Sequence, residues 1–379
     1  MQVTVHDAAD AIDADEWNRL AGDDYPFLRH AFFSIAESTG CAAEATGWTP
    51  RHLTLHDGGR LRAIMPLYEK THSWGEFVFD WAWAEAYQRY GLAYYPKLVS
   101  AVPFTPATST RLMVDDPSDQ ELKNMLLEGA TTACQELGCS SLHLLFPRAD
   151  EVITLDAAGF MNRSDCQFHW HNANYADFDQ FLASFSRVKR KKVRQDRRRV
   201  RDAGIGFRHL HGGELDDALW KQVYALISVT FLRRGGPPYF NQSFFKQLSV
   251  AAPNDLLVVL AEQHSQVIAA AIFFCGRDTL YGRYWGADGY YDALHFETCY
   301  YQGIEYCIQN DISHFEPGTQ GEHKIARGFV PERCHSSHWL ANEEFRDAIQ
   351  RYLEHESEHT DRYIDMVDAH SPYRDDPSP

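Results

Sequence analysis

The chain has 379 residues, of which 44% are hydrophobic and 23% charged. At roughly 150 residues per domain this ordinary globular composition makes about two domains, and it excludes a disulfide scaffold, collagen or full-length disorder. A formal net charge of −17 argues against a chain that coats nucleic acid or anionic membrane over its whole surface.

Taken in chain order, Val3 to Val5 reads as a strand, and Ala14 to Leu20 and Arg29 to Thr39 read as helices. Arg51 to His56 and Leu61 to Tyr68 flank an Asp-Gly-Gly turn and make a hairpin. Asp119 to Gly138 is an amphipathic helix stopped by glycine, followed by a strand from Ser141 to Phe146. A second round begins with a helix over Phe178 to Ala203, in which Phe181, Phe185, Val188 and Val200 form the apolar stripe. Ile205 to Leu210 is a strand and Asp216 to Leu232 a helix. Leu256 to Glu262 and Val267 to Phe274 form another hairpin, continued by Leu280 to Trp285. Phe296, Tyr300, Ile304 and Ile308 then recur at helical spacing, before a strand from Ile312 to Glu316.

The two hairpins share their order: polar turn, apolar strand, Trp-containing segment, helix. This predicts two copies of one α/β module, residues 1–165 and 166–370, with a disordered polar tail at 371–379. The eight cysteines show no C-x-x-C pair and read as reduced thiols. MQVTVHDAAD lacks the basic and apolar regions of a secretory signal. The longest apolar run, Val267 to Cys275, is less than half the roughly 20 residues of a membrane span. A cytoplasmic protein is expected.

One segment contradicts the acidic average. Arg187 to Arg201 holds ten Lys/Arg against one Asp, so this stretch is +9 within a chain of −17 and the remainder carries −26. Arg187, Lys191 and Arg194 share one helix face, and Arg190, Arg197 and Arg201 another. Such a run captures phosphates or pairs with acidic neighbours.

Between Trp74 and Tyr95, nine of 22 residues are aromatic. They wall a ligand pocket or fill a seam between modules, with Trp81, Trp83, Tyr87 and Tyr95 as candidate substrate contacts. Phe315-Glu-Pro-Gly-Thr-Gln-Gly-Glu-His-Lys324 follows a strand, and its glycines permit a turn with exposed N–H groups that, with Lys324 and Arg327, holds an anion. Glu316, Glu322 and His323 are candidate general bases there, as is Glu297 at a helix start. His355-Glu-Ser-Glu-His359 matches the H-E-x-x-H zinc string, but its surroundings are too polar for a buried metal helix, and no metal site is expected. His169 and His171 flank Trp170 on one strand face. No Walker loop, G-x-S-x-G elbow or G-x-G-x-x-G fingerprint occurs.

The segments FDWAWAEAY (79–87), YYPKLVSAVPFTP (94–106), QFHWHN (167–172), SRVKRKKVRQDRR (186–198), GRYWGA (282–287), LHFETCYYQGIEY (294–306) and FEPGTQGEHKIARGF (315–329) together resemble the bacterial FemAB-like family of peptidoglycan biosynthesis/recognition. That family is grouped with GNAT-fold acyltransferases. The resemblance implies two tandem GNAT-like α/β domains, with mixed sheets flanked by helices. It further implies transfer of an acyl or aminoacyl group from a carrier to an amine, with a peptidoglycan precursor as a candidate acceptor. Carried over, Tyr300 to Tyr306, Glu316 and Gly318 to Lys324 border the acceptor cleft.

The chain lacks a Q/R-x-x-G-x-G/A pyrophosphate loop and a long helical arm, so the donor stays open between acyl-CoA and aminoacyl-tRNA. Neither is expected to be tightly bound. The expected substrate contacts are completed by Arg283, Tyr284, Trp285, Tyr301 and Gln320, and the phosphate contacts are Arg190, Lys191, Arg194, Lys324 and Arg327. The rival expectation is a non-catalytic module of the same fold that recognises a wall precursor or RNA.

Overall fold

The structure, a computed structural model, describes residues 1–319 and 321–374. Two compact units divide them. The first comprises Met1–Cys166 and Arg333–Arg362, and the second Gln167–Glu332 and Tyr363 onward. The sequence reading has one crossing near residue 165; the structure has three, because the chain returns to the first unit along the strand Val330–Leu340 and the long helix Glu343–Asp368.

In the first unit, a four-stranded sheet orders Gln2–His6, His52–Asp57, Arg60–Met65 and Met113–Val114. The helix Gln120–Glu136 starts at Asp119, whose carboxylate accepts the Leu122 N–H at 2.9 Å, a cap worth about 1 kcal/mol. Its Leu122, Leu126, Leu127 and Ala130 join one core with Leu53, Leu55, Ala63 and Met65. The expected strand from Leu61 to Tyr68 is split after Met65. Pro66 has no N–H for a ladder, and Tyr68–Lys70 instead pairs with Trp48–Pro50 and Lys97–Ser100.

The second unit's sheet runs Gly206–His211, Leu256–Gln263, Gln266–Cys275, Thr279–Ala287, His314–Glu316 and then the end of Met161–His171. Leu256 to Ala261 and Ile268 to Phe274 are buried without alternation, as expected of strands covered on both faces. The helix Asp217–Leu232 lies on this sheet so closely that a Cβ at Gly286 would stand 1.9 Å from the Leu226 carbonyl oxygen.

The expected helix over Phe178 to Ala203 is two helices, Phe178–Ala183 and Arg187–Asp202. The Ser184 hydroxyl bonds back to the Phe181 carbonyl at 2.6 Å, which competes with helix continuation. Residues from the chain's end complete the break: the Ser186 N–H donates to Pro372 O at 2.9 Å and the Arg374 N–H to Ser184 O at 3.1 Å. The restart changes the register, so Val188 is 77% exposed and Val193 takes the buried position. The tail at 371–374 is therefore docked; 375–379 lie outside the described residues. The helix predicted from Phe296 contains a π-turn, Glu297–Tyr301, before Gln302–Gln309. That extra residue buries Tyr300 and Tyr301 side by side, where straight helical spacing would bury one.

Candidate active site

The basic helix Arg187–Asp202 borders an open groove of about 1210 Å³ in the second unit. Arg187, Arg190, Lys191, Arg194, Arg198 and Arg201 line it together with Phe178, Glu297, Gln302 and Glu305. Four of the helix's cations have acidic partners: Lys192 with Asp196, Arg194 with Asp179, Arg197 with Glu297 and Glu305, and Arg199 with Asp292. Arg187, Arg190, Lys191, Arg198 and Arg201 have none among the described residues. A groove wall of unneutralised cations attracts polyanions.

Glu297 lies at the base of the groove, at the start of the π-turn. Arg197 Nε contacts its two oxygens at 3.1 and 3.2 Å, and Gln302 Nε2 donates to it at 2.8 Å. Burial raises this carboxyl above its ordinary range, partly offset by Arg197. The same guanidinium donates to Glu305 at 2.7 Å and stands 4.3 Å from the Phe178 ring centre. Glu297 thus fixes Arg197 and the π-turn. π-Turns are frequent at functional sites, and this one joins the groove to a second cluster.

That cluster lies where Thr279–Ala287 and His314–Glu316 run parallel. Glu316 is buried; its Oε2 accepts no hydrogen bond from the described residues, and Arg283 Nη2 is 3.8 Å away. Burial raises the Glu316 carboxyl above its ordinary range, with His169 and Arg283 opposing. Burial alone would depress His169, but the carboxylates of Glu316 and Glu332 outweigh it and the net direction is up. Glu332 bridges the histidine pair singled out in the sequence: it contacts His169 Nδ1 at 2.9 Å and also His171. Lys324 is buried in the turn Glu322–Arg327, with Nζ donating to Gly318 O at 2.6 Å. Burial, then Arg283, bring its ammonium down to about 7.

The other expected site residues are dispersed. Glu322 is exposed and accepts from Tyr363 Oη at 3.1 Å, while His323 Nε2 meets Tyr300 Oη at 2.9 Å. Arg327 is buried, its Nη2 3.5 Å from Asp196. Tyr301 donates to the same carboxylate, and Tyr284 packs among Phe231, Phe240 and Phe245, so neither ring is open to a ligand. Trp285 is half-buried against His295. Gln320 lies outside the described residues.

Trp81, Trp83, Tyr87 and Tyr95 belong to the first unit. Trp83 and Tyr87 are core residues with Ile349 and Leu353, whereas Trp81 is 43% exposed and stacks near Trp74 and Phe79. Glu356 of the H-E-x-x-H string binds Arg163 through both oxygens, at 2.7 and 2.8 Å.

Sequence reasoning missed a buried polar network in the first unit. Lys97 Nζ donates to Glu76 at 2.8 Å, to Ser73 at 2.9 Å and to Asp80. Tyr94 Oη donates to Asp80 at 2.6 Å, and the buried rings of His143 and His338 meet Nδ1 to Nδ1 at 2.5 Å. The signal available was the aromatic run itself, which contains Glu76 and Asp80 among rings. Asp196 in the second unit was missed too.

The FemAB-like family profile, described as peptidoglycan biosynthesis/recognition, matches residues 8–375. The chain belongs to this family. Among solved structures it is similar to FemX at 13% identity, with a TM-score of 0.56 over 92% of this chain and 100% of that one. The C-terminal domain of a putative lysylphosphatidylglycerol synthetase from Agrobacterium fabrum gives 9% identity and a TM-score of 0.57, covering 90% and 96%. The L-PGS of Bacillus licheniformis gives 9% and 0.51, covering 88% and 98%. At these identities the likeness is one of fold. No curated protein sequence matches the chain. No helix among the described residues is long and apolar enough to cross a membrane.

Proposed function

We propose that the protein is a Fem-type acyltransferase that moves an acyl or aminoacyl group from a phosphate-bearing carrier to an amine, with a peptidoglycan precursor as acceptor. The observation that carries this reading is the pairing of two features in one unit. Five cations without acidic partners among the described residues line the groove, and the turn bearing Lys324 packs against the same basic helix through Arg327 and Asp196. Family membership and the names of FemX and the lysylphosphatidylglycerol synthetases support a transferase over a passive binder.

In this reading the carrier's phosphates lie on Arg190, Lys191, Arg194 and Arg198. The acceptor amine attacks the carrier's carbonyl carbon, the new C–N bond forms as the C–O or C–S bond to the carrier breaks, and no covalent enzyme intermediate arises. Glu316, whose raised carboxyl favours proton uptake, accepts the amine's proton. Lys324 supplies positive charge to the developing oxyanion, an effect worth roughly 3 kcal/mol in other enzymes.

The test is a transfer assay with acyl-CoA and with aminoacyl-tRNA as separate donors, using Glu316→Gln. Loss of transfer with an unchanged melting temperature is expected; full activity would remove Glu316 as the base. If neither donor shifts the melting temperature or gives product, the transferase reading fails.

A further inference from the structure

His169 and His171 stand on one face of the strand Met161–His171, because side chains two residues apart in a strand point the same way. The neighbouring strand His314–Glu316 runs antiparallel and pairs His314 with His171 and Phe315 with Trp170. Continued by one residue, this register sets Glu316 opposite His169, where paired Cβ atoms are about 4.5–5.5 Å apart. On the other side the strand Val330–Leu340 brings in Glu332, whose carboxylate contacts His169 Nδ1 at 2.9 Å and also His171 Nε2. His171 Nδ1 in turn meets His314 Nδ1 at 2.9 Å. These five side chains make one patch within the second unit.

The patch has a closed end and an open end. Glu316 is buried, its Oε2 accepts no hydrogen bond from the described residues, and His169 is 8% exposed. At the other end the His171 side chain is 43% exposed and that of Glu332 is 35% exposed. Contacts therefore lead from a buried carboxyl to a ring in solvent, and imidazoles joined by a carboxylate are suited to moving protons.

We propose that His169 is the proton partner of Glu316: it takes the proton that this carboxylate removes from the acceptor amine and releases it to solvent through Glu332, His171 and His314. This rests on the transferase reading given above. An acceptor that arrives as an ammonium loses two protons in becoming an amide. One goes to the departing oxygen or sulfur of the carrier, and the other leaves the protein at each turnover. Glu316 collects that proton, His169 accepts it while releasing its Nδ1 proton toward Glu332, and His171 delivers the proton to water. Glu332 is a positioning residue, because it holds both rings and touches no reacting atom.

The surrounding charges agree with this direction of travel. Burial depresses His169, but Glu316 and Glu332 outweigh it against Lys324. Burial raises Glu316, with Glu332 adding to the rise and His169, Arg283 and His314 opposing it. Glu316 and His169 thus favour each other's charged forms, which leaves a shared proton on the imidazole and the carboxylate ready for the next one.

NMR of the protein carrying ¹³C-labelled histidine, titrated without substrate, tests the pairing, with the His169 resonance assigned by its loss in His169→Gln. His169 should titrate above the ordinary midpoint of about 6.5, and the midpoint should fall in Glu316→Gln and in Glu332→Gln, since each removes a negative charge beside the ring. An unmoved midpoint in Glu316→Gln would overturn the proposal. The transfer assay, with acyl-CoA and aminoacyl-tRNA as separate donors and a nucleotide-linked peptidoglycan precursor as acceptor, tests the relay. His171→Gln alters only the exposed end, and it should lower kcat by about tenfold at unchanged KM, less than the roughly hundredfold of a base that touches the substrate. Added imidazole should restore the rate by carrying the proton in place of the ring, and His169→Ala should respond in the same way. A lower melting temperature without imidazole rescue, or a kcat indifferent to both substitutions, would also overturn it. An inactive wild type with coupled midpoints removes the transferase reading and the relay with it, whereas an active wild type with uncoupled midpoints removes the relay alone, so the two failures are distinguishable.

Discussion

Asp196 and Arg327 meet inside the second unit, where guanidinium Nη2 lies 3.5 Å from Oδ2 and Tyr301 donates to the same oxygen at 3.2 Å. Asp196 is the one acid in the Arg187 to Arg201 run, and it is 2% exposed. It is buried on the inner face of the helix, whereas Arg187, Arg190, Lys191, Arg194, Arg197, Arg198 and Arg201 line the groove. Removing one partner of a buried ion pair costs about 3–5 kcal/mol, because the other charge is left without compensation. Asp196→Ala should therefore lower the unfolding free energy from urea titration by that order, seen as a lower midpoint, and Asp196→Asn by less. An unchanged midpoint in the alanine variant would show that Arg327 finds another partner.

The groove face makes a different prediction. Arg190 and Arg198 have no acidic partner among the described residues, so reversing them to Glu should leave stability within about 0.5 kcal/mol. Affinity for a polyanionic carrier should fall, and the slope of log affinity against log salt should shrink by about one for each phosphate no longer neutralised. Filter binding across a salt series measures both.

Glu316 and Glu322 lie on one turn in sequence but in opposite surroundings. Glu316 is buried with its carboxyl raised, whereas Glu322 is exposed and bonded to Tyr363. The transfer rate should rise with pH through the elevated Glu316 range, since the base must be ionised to accept a proton. Glu322→Gln should preserve this profile and Glu316→Gln should abolish the rate. A pH–rate series on both variants decides it.

His143 and His338 give the first unit a sensitivity to acid. Burial lowers His143 to about 3 and places His338 well below its ordinary value. Both must stay neutral in the folded state, while the unfolded chain takes up protons near pH 6.5. Stability is therefore full above that pH and falls as pH drops below it, by up to about 1.4 kcal/mol per unit for each ring. Urea titrations at pH 7.5 and 5.5 should show the loss, and a flat response would mean that one ring is already charged.

Tyr373 ties down two elements of the candidate site. Tyr373 Oη donates to Gly328 O at 2.7 Å, and its ring packs edge-on to Phe185 at 5.2 Å. A Cβ at Gly328 would meet the Phe181 and Phe185 rings at 2.8 and 2.9 Å, and its φ is +96°. Truncation after His370 should speed amide exchange at residues 184–190 and 325–329 while leaving the first unit's core protected. Equal protection in both forms would deny the tail this role.

Much of the fold was legible because its signals are local. The Asp119 cap, the Gly-containing turns and the continuous apolar run from Val267 to Phe274 each reflect backbone rules that act within a few residues. The helix break at Ser184 to Ser186 was not legible, since it is completed by hydrogen bonds to Pro372 and Arg374. The π-turn was hidden as well, because one inserted residue leaves the spacing Phe296, Tyr300, Ile304 unchanged in sequence.

The candidate site divides along the same line. The sequence by itself determined that a dense basic helix exists, that a glycine-bearing turn with Glu316, His323 and Lys324 follows a strand, and that the chain belongs with FemAB-like proteins. Only the tertiary structure decided which charges are covered: Asp196 inward, Arg190 and Arg198 outward, Glu316 buried and Glu322 in solvent. Helical periodicity sets which side chains share a face, but burial and ion pairing come from contacts between residues far apart in the chain. For the same reason the first unit's Lys97, Glu76 and Asp80, separated by 17 and 21 positions, became one buried network only when the chain was folded.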